Sequence, residues 1–228
     1  MRWAAVIFDL FGTLVPNLAR PEHEAVLGEM ARILGAPPGP FIRGWMATGP
    51  LRMVGQIRSP EDNAAAVCRD LGLTPSPQSL AGAGRIRRSY TERSLQPRPD
   101  AAETLQGIGA TGRRIGLLTD CSSEVPARWT AFPLAPMIDA AVFSCVEGAC
   151  KPAPRLYELA CNRLGVASDT CVYVGDGGSR ELTGAAAVGM RPVLLVETDP
   201  HAHQLETEAW TGERVAALPE VLALLDER

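Results

Sequence analysis

Lysine is almost missing from this chain. Of 22 basic residues only Lys151 is a lysine, so arginine serves wherever a generic surface cation suffices. One compact ammonium kept against that bias points to a position where a planar guanidinium cannot substitute. Histidine is scarce too, with three residues, and aromatic residues make up 5% of the chain. The net charge of −4 comes with no long run of one sign, which excludes the electrostatic footprint of a nucleic-acid binder. No apolar stretch approaches the roughly 20 residues needed to cross a bilayer. The apolar N-terminal run meets Asp9 too early for a secretory signal. A cytoplasmic protein without membrane contact is the expectation. The six cysteines form no CxxC pair, which argues against a zinc site and for small buried hydrophobes in a reducing compartment. His201 and His203 form an HxH, expected to be two solvated loop residues rather than metal ligands.

What is present is core-forming material: 46% hydrophobic residues over a length of 228. Residues 3–8 are an unbroken apolar run ended by a turn-like Asp-Leu-Phe-Gly-Thr, the pattern of a buried parallel strand. Similar runs recur at Ile115–Thr119, Ala140–Cys145, Cys171–Gly175 and Pro192–Val196. Between them, Arg155 to Leu164 places Leu156, Leu159, Ala160 and Leu164 on one helical stripe and stops at Gly165. Helices are also expected over 101–110 and 180–188. Alternating strands and helices predict an α/β fold with a doubly wound parallel sheet.

The alternation is interrupted once. Residues 16–96 show no strand pattern but two helix starts, Ser59-Pro60-Glu61-Asp62 and Ser76-Pro77. Gly35 to Pro40 reads as a loop. The expected organisation is a core of 1–15 and 97–228 and a helical insertion of 16–96, with Pro97 and Pro99 at the return. Within the insertion, Arg85, Arg87 and Arg88 are expected on a solvated helix face. Glu22, His23 and Glu24 are expected at a solvated helix start. Trp45 and Met46 are expected to pack.

In an open α/β sheet, ligands bind beyond the carboxyl ends of the strands. After the first strand comes Asp9. After the second come Thr119, Asp120 and Cys121. After the third, beyond a short loop, comes Lys151. After the fourth come Asp176 and Glu181. A turn residue or helix cap explains any one of these, but explains the set poorly. Together they fit attack by a carboxylate on phosphorus or carbon, giving an ester that water hydrolyses. An anionic substrate then calls for a counter-charge, which a magnesium ion on acidic side chains, a lysine and a hydroxyl can supply.

These residues resemble a known family. Phe8-Asp9-Leu10-Phe11-Gly12-Thr13-Leu14 is similar to the first motif of the haloacid-dehalogenase-like hydrolases. Leu117-Leu118-Thr119-Asp120 is similar to the second, Lys151-Pro152-Ala153-Pro154 to the third, and Val174-Gly175-Asp176-Gly177 with Glu181 to the fourth. The resemblance implies a Rossmann-like core with a helical cap and a small, anionic substrate. It implies Asp9 as nucleophile and metal ligand, Thr119 holding the transferred group, and Lys151 neutralising charge. Asp176, Glu181 and the Phe11 backbone carbonyl would complete a magnesium site. Gly12, Thr13 and Asp120 would border the substrate.

The pattern breaks at Phe11. Phosphatases of the family carry a second aspartate there, which protonates the leaving group. L-2-haloacid dehalogenases commonly have an aromatic residue instead, since halide leaves unprotonated. Asp176 pulls the other way, because those dehalogenases work without metal and a second carboxylate beside Asp9 repels it unless a cation binds. A phosphonoacetaldehyde-hydrolase reading fails because the insertion has no lysine. The favoured reading is a magnesium-dependent phosphatase. The alternatives are a metal-free dehalogenase and a catalytically weakened binding relative.

Overall fold

A computed structural model of the protein describes residues 2–196 and 208–226. The histidines of the HxH lie outside these residues. The described residues form a parallel six-stranded sheet: β1 (Ala5–Phe8), β2 (Arg114–Thr119), β3 (Ala140–Phe143), β4 (Cys171–Gly175), β5 (Arg191–Leu195) and β6 (Arg214–Val215), in the order β3-β2-β1-β4-β5-β6. Strands β1 and β4 are wholly buried, as strands covered on both faces must be. One face packs Val6, Phe8, Leu117 and Val174 with Leu105 and Ile108. The other packs Ile7, Leu118 and Tyr173 with Leu156 and Leu164.

The five runs predicted as strands are strands, with two corrections. The third ends at Phe143, because Ser144 opens a short helix (Ser144–Glu147). The two-residue β6 was not anticipated. The helices expected over 101–110, Arg155–Leu164 and 180–188 appear as Ala101–Ala110, Pro154–Leu164 and Glu181–Ala187.

Between β1 and β2 the chain inserts five helices: α1 (Arg20–Leu34), α2 (Pro38–Ala47), α3 (Gly49–Met53), α4 (Pro60–Asp70) and α5 (Pro77–Ser94). Their shared core includes Leu27, Met30, Phe41, Trp45, Val67 and Tyr90. The expected starts of α4 and α5 are capped, Ser59 accepting from Asp62 N–H and Ser76 from Ser79 N–H. The loop expected over Gly35 to Pro40 is corrected, since α2 begins at Pro38. A proline costs little in a first turn, whose N–H groups have no intrahelical partner.

The strand order reverses at β1, which pairs with β2 on one side and β4 on the other. Such a switch point opens a crevice at the strand carboxyl ends. Phe8 stands level with Leu117 and Val174, so the residues just beyond these three strands converge.

Candidate active site

Asp9 leaves β1 with its N–H donating to the Val174 carbonyl at 2.9 Å, which ties the turn to β4. Its carboxylate is buried. Lys151 Nζ donates to Asp9 Oδ1 at 2.7 Å and to Glu181 Oε2 at 2.5 Å. Asp176 completes the group: Asp9, Asp176 and Glu181 each offer an oxygen within 4.8 Å of the others. Three buried carboxylates thus surround one buried ammonium.

The electrostatics follow. Burial opposes the Lys151 charge, yet Asp9 and Glu181, with Asp120, hold its ammonium well above the ordinary lysine range. Burial and the neighbouring Asp9 push the Asp176 carboxyl up to about 6. The donors Gly178 N–H, at 2.9 Å, and Asn17 Nδ2, also at 2.9 Å, work against that rise. Glu181 is fixed from below: Tyr173 Oη donates to it at 2.8 Å and Gly177 N–H at 3.0 Å. Tyr157 Oη donates to the Glu181 carbonyl at 3.0 Å.

The remaining predicted residues gather around this group. Thr119 is buried, and its Oγ1 has no hydrogen-bond partner among the described residues, so it is a donor available to a ligand. The Thr13 hydroxyl is buried in the same condition. Asp120 Oδ1 accepts from the Lys151 N–H at 3.0 Å, which pins the lysine loop, while burial raises its carboxyl above the usual range. Gly12 has φ 80°, and a Cβ there would collide with Asp176 Oδ2, so both conformation and space require glycine. Asp9, Phe11, Thr119, Asp120, Lys151 and Asp176 line a cavity of about 70 Å³. Beside it lies a second cavity of about 410 Å³, and Phe11, Asn17 and Asp120 line both.

Asn17 and Tyr173 were missed, whereas Tyr157 belongs to the segment similar to the third motif, Lys151-Pro152-Ala153-Pro154 followed by Leu156-Tyr157. An asparagine beyond a turn and a tyrosine within an apolar run carry no local mark of this role. Ser179, held at φ 55°, also borders the small cavity, and left-handed backbone at a non-glycine residue is strained. Three expectations for the insertion are corrected. Arg87 is not on a solvated face but buried, its Nε donating to buried Glu124 Oε1 at 3.0 Å. His23 is buried and stacked on Tyr90, with ring centroids 5.6 Å apart, because α1 turns this side toward α5. Met46 lines the large cavity, while Trp45 packs as expected. Arg85 is exposed, and Arg88 is partly buried against Glu61.

Residues 3–189 match the model of the haloacid dehalogenase-like hydrolases. The chain is 33% identical over 202 residues to phosphatase MT3486 of Mycobacterium tuberculosis, covering 86% of this chain and 88% of the relative. It is 27% identical over 210 residues to mouse acyl-CoA dehydrogenase family member 10, covering 90% of this chain but only 19% of that protein. Among solved structures it superposes on L-2-haloacid dehalogenase from Xanthobacter autotrophicus with a TM-score of 0.65, at 19% identity, with 98% of each chain covered. No described helix is long and apolar enough to cross a membrane. A parallel sheet with an inserted helical unit, four motifs at successive strand ends and a family match over most of its length make this chain a member of the haloacid dehalogenase-like hydrolases.

Proposed function

We propose that the protein is a magnesium-dependent phosphatase acting on a small phosphate ester through an aspartyl-phosphate on Asp9. The observation that carries this reading is the charge imbalance at the strand ends: three buried carboxylates against one ammonium. A cluster of that composition is a hard-oxygen site short of positive charge, which suits magnesium. Asp9, Asp176 and Glu181, with the Phe11 carbonyl, would hold the ion. Bound there, it supplies charge neutralisation between the carboxylate nucleophile and the anionic phosphoryl group.

The chain's own residues do the rest. Asp9 attacks phosphorus as the ester P–O bond breaks and the alkoxide leaves, and water then hydrolyses the aspartyl-phosphate to phosphate and free Asp9. Lys151 holds Asp9 Oδ1 oriented and offsets charge on the transferring oxygens. The Thr119 hydroxyl donates to a phosphoryl oxygen. Asp120 lines the small cavity and Gly12 leaves room for the Asp176 carboxylate beside it, so that the cavity admits a phosphoryl group and little more. Residues 1–15 and 97–228 act as the core, and residues 16–96 as a cap that provides the wall of the larger cavity. The chain works as a cytoplasmic enzyme on a small anionic molecule.

Phe11 favours a second reading, dehalogenation, since an aromatic residue cannot protonate a leaving alkoxide. A metal-free site would have to bring a halo-acid carboxylate up to Asp9 in the presence of Asp176, against like-charge repulsion. An activity screen with magnesium and with chelator separates these readings. Phosphate release that requires magnesium is the expected result. Halide release in chelator would replace it with the second reading, and no turnover across a broad panel would leave a binding relative.

A further inference from the structure

The larger cavity carries a charge that the phosphoryl site does not use. Arg52, near the end of α3, and Arg87, on α5, both line it and are only 8% and 7% exposed. Both guanidinium groups lie over the Trp45 ring, 5.0 and 5.9 Å from its centroid. Two like charges therefore share one aromatic surface. Among the described residues a single carboxylate, Glu124, answers them through Arg87 Nε. Among the described residues Arg52 has only neutral acceptors, donating to the Trp45 carbonyl at 2.5 Å and the Thr48 hydroxyl at 2.7 Å. Arg87 Nη1 is buried with no hydrogen-bond partner among the described residues. So is the hydroxyl of Thr91, one helical turn further along the same cavity wall. Burial, reinforced by repulsion from Arg87, lowers the Arg52 guanidinium to about 10, a cost that a bound anion would remove.

We propose that Arg52 and Arg87 form a second anion-binding subsite, so that the substrate is a phosphate ester with a carboxylate at the far end of an apolar body. One uncompensated positive charge matches a monoanion better than a dianionic phosphate. A planar guanidinium with free donors matches a planar carboxylate. The apolar body is set by the apolar side chains that line the larger cavity, Leu18, Met46, Met53 and Val125 among them. Phe11, Asn17 and Asp120 border both cavities, so one molecule can reach from Asp9 to the arginines. The proposal rests on the phosphatase reading for its other end.

The test compares para-carboxymethylphenyl phosphate with its methyl ester, whose phenol leaving groups are matched because a methylene insulates the ring. Wild type is expected to prefer the acid in kcat/KM by roughly 10- to 100-fold, mostly through KM. Arg87→Gln should abolish that preference, bringing kcat/KM for the acid to that for the ester. Glu124→Gln, which removes the competing carboxylate, should increase it, and this opposite sign carries the test if Arg87→Gln fails to fold. Equal kcat/KM for acid and ester in wild type would overturn the subsite. If neither compound turns over with magnesium, the phosphatase reading fails instead. Calorimetric titration with the non-hydrolysable para-carboxymethylbenzylphosphonate and its methyl ester then decides the subsite. Tighter binding of the acid keeps it, and equal binding or none removes it.

Discussion

At the scale of single residues, the centre is one ammonium among carboxylates, and the choice of lysine follows from that geometry. Nζ reaches Asp9 and Glu181 from a point, whereas a planar guanidinium would force the two carboxylates apart. Lys151→Arg should therefore lower kcat on the order of 100-fold in steady-state assays, with the fold retained by circular dichroism. Asp9→Asn should abolish turnover and leave the melting transition close to wild type. Detectable turnover at the wild-type rate would remove Asp9 as nucleophile. Phe11 makes a different prediction. Without an acid at that position, expulsion of a poor leaving group loses roughly 10²–10⁴-fold, about 3–5 kcal/mol in the barrier. In a leaving-group series, wild-type rates should fall steeply as leaving-group pKa rises, and Phe11→Asp should flatten the slope. A flat wild-type series with chemistry rate-limiting would mean that another group donates the proton.

At the scale of elements, the insertion meets the core at a close contact. Gly55, just after α3, has φ 71°, and a Cβ there would collide with the Cys145 carbonyl. Gly55→Ala has both a left-handed conformation and a backbone clash to relieve. It should cost on the order of 2 kcal/mol in chemical denaturation. It should also raise KM, because α3 carries Arg52 on the cavity wall. An unchanged KM would show that α3 does not shape the binding cavity. The same elements show what was readable locally. Helices α4 and α5 announce themselves by a capping serine followed by proline. Helices α1 and α2 begin after Ala19 and Pro37 with a proline in the first turn, and α1 adds Glu22 there, but neither has a side-chain cap, so the local signal is weaker and packing of their apolar faces supplies the stability. The two-residue β6 is likewise too short for any periodicity to register.

At the scale of the whole molecule, the converging strand ends impose a cost that pH should reveal. The folded state holds the Asp176 proton up to about 6, against an ordinary value of 3.8. Over that interval the native state binds more protons than the unfolded chain, so stability falls as pH rises and stays lower above it. The metal-free protein should therefore melt at a lower temperature at neutral pH than near pH 5. Between pH 5 and 7 the contribution from Asp176 is on the order of 1 kcal/mol. Magnesium should narrow the gap, and Asp176→Asn should remove the part due to Asp176 while leaving that due to Glu181, whose carboxyl is pushed up to about 8 by burial. A melting temperature independent of both pH and magnesium would contradict the charge imbalance.

The sequence by itself determined the alternation of strands and helices, the interruption after β1, and the identities of the residues at each strand end. These are local properties: an apolar run, a turn and the polar residue that follows it lie within a few positions of one another, whatever the rest of the chain does. Only the tertiary structure decided that Arg87 faces Glu124 from a different helix, that Arg52 shares the Trp45 ring with it, and that Asn17 reaches Asp176. Each of these contacts joins elements whose separation along the chain says nothing of the angle at which they pack. An arginine on an amphipathic helix reads the same whether its face meets water or a second layer, and the docking of the insertion on the sheet sets which.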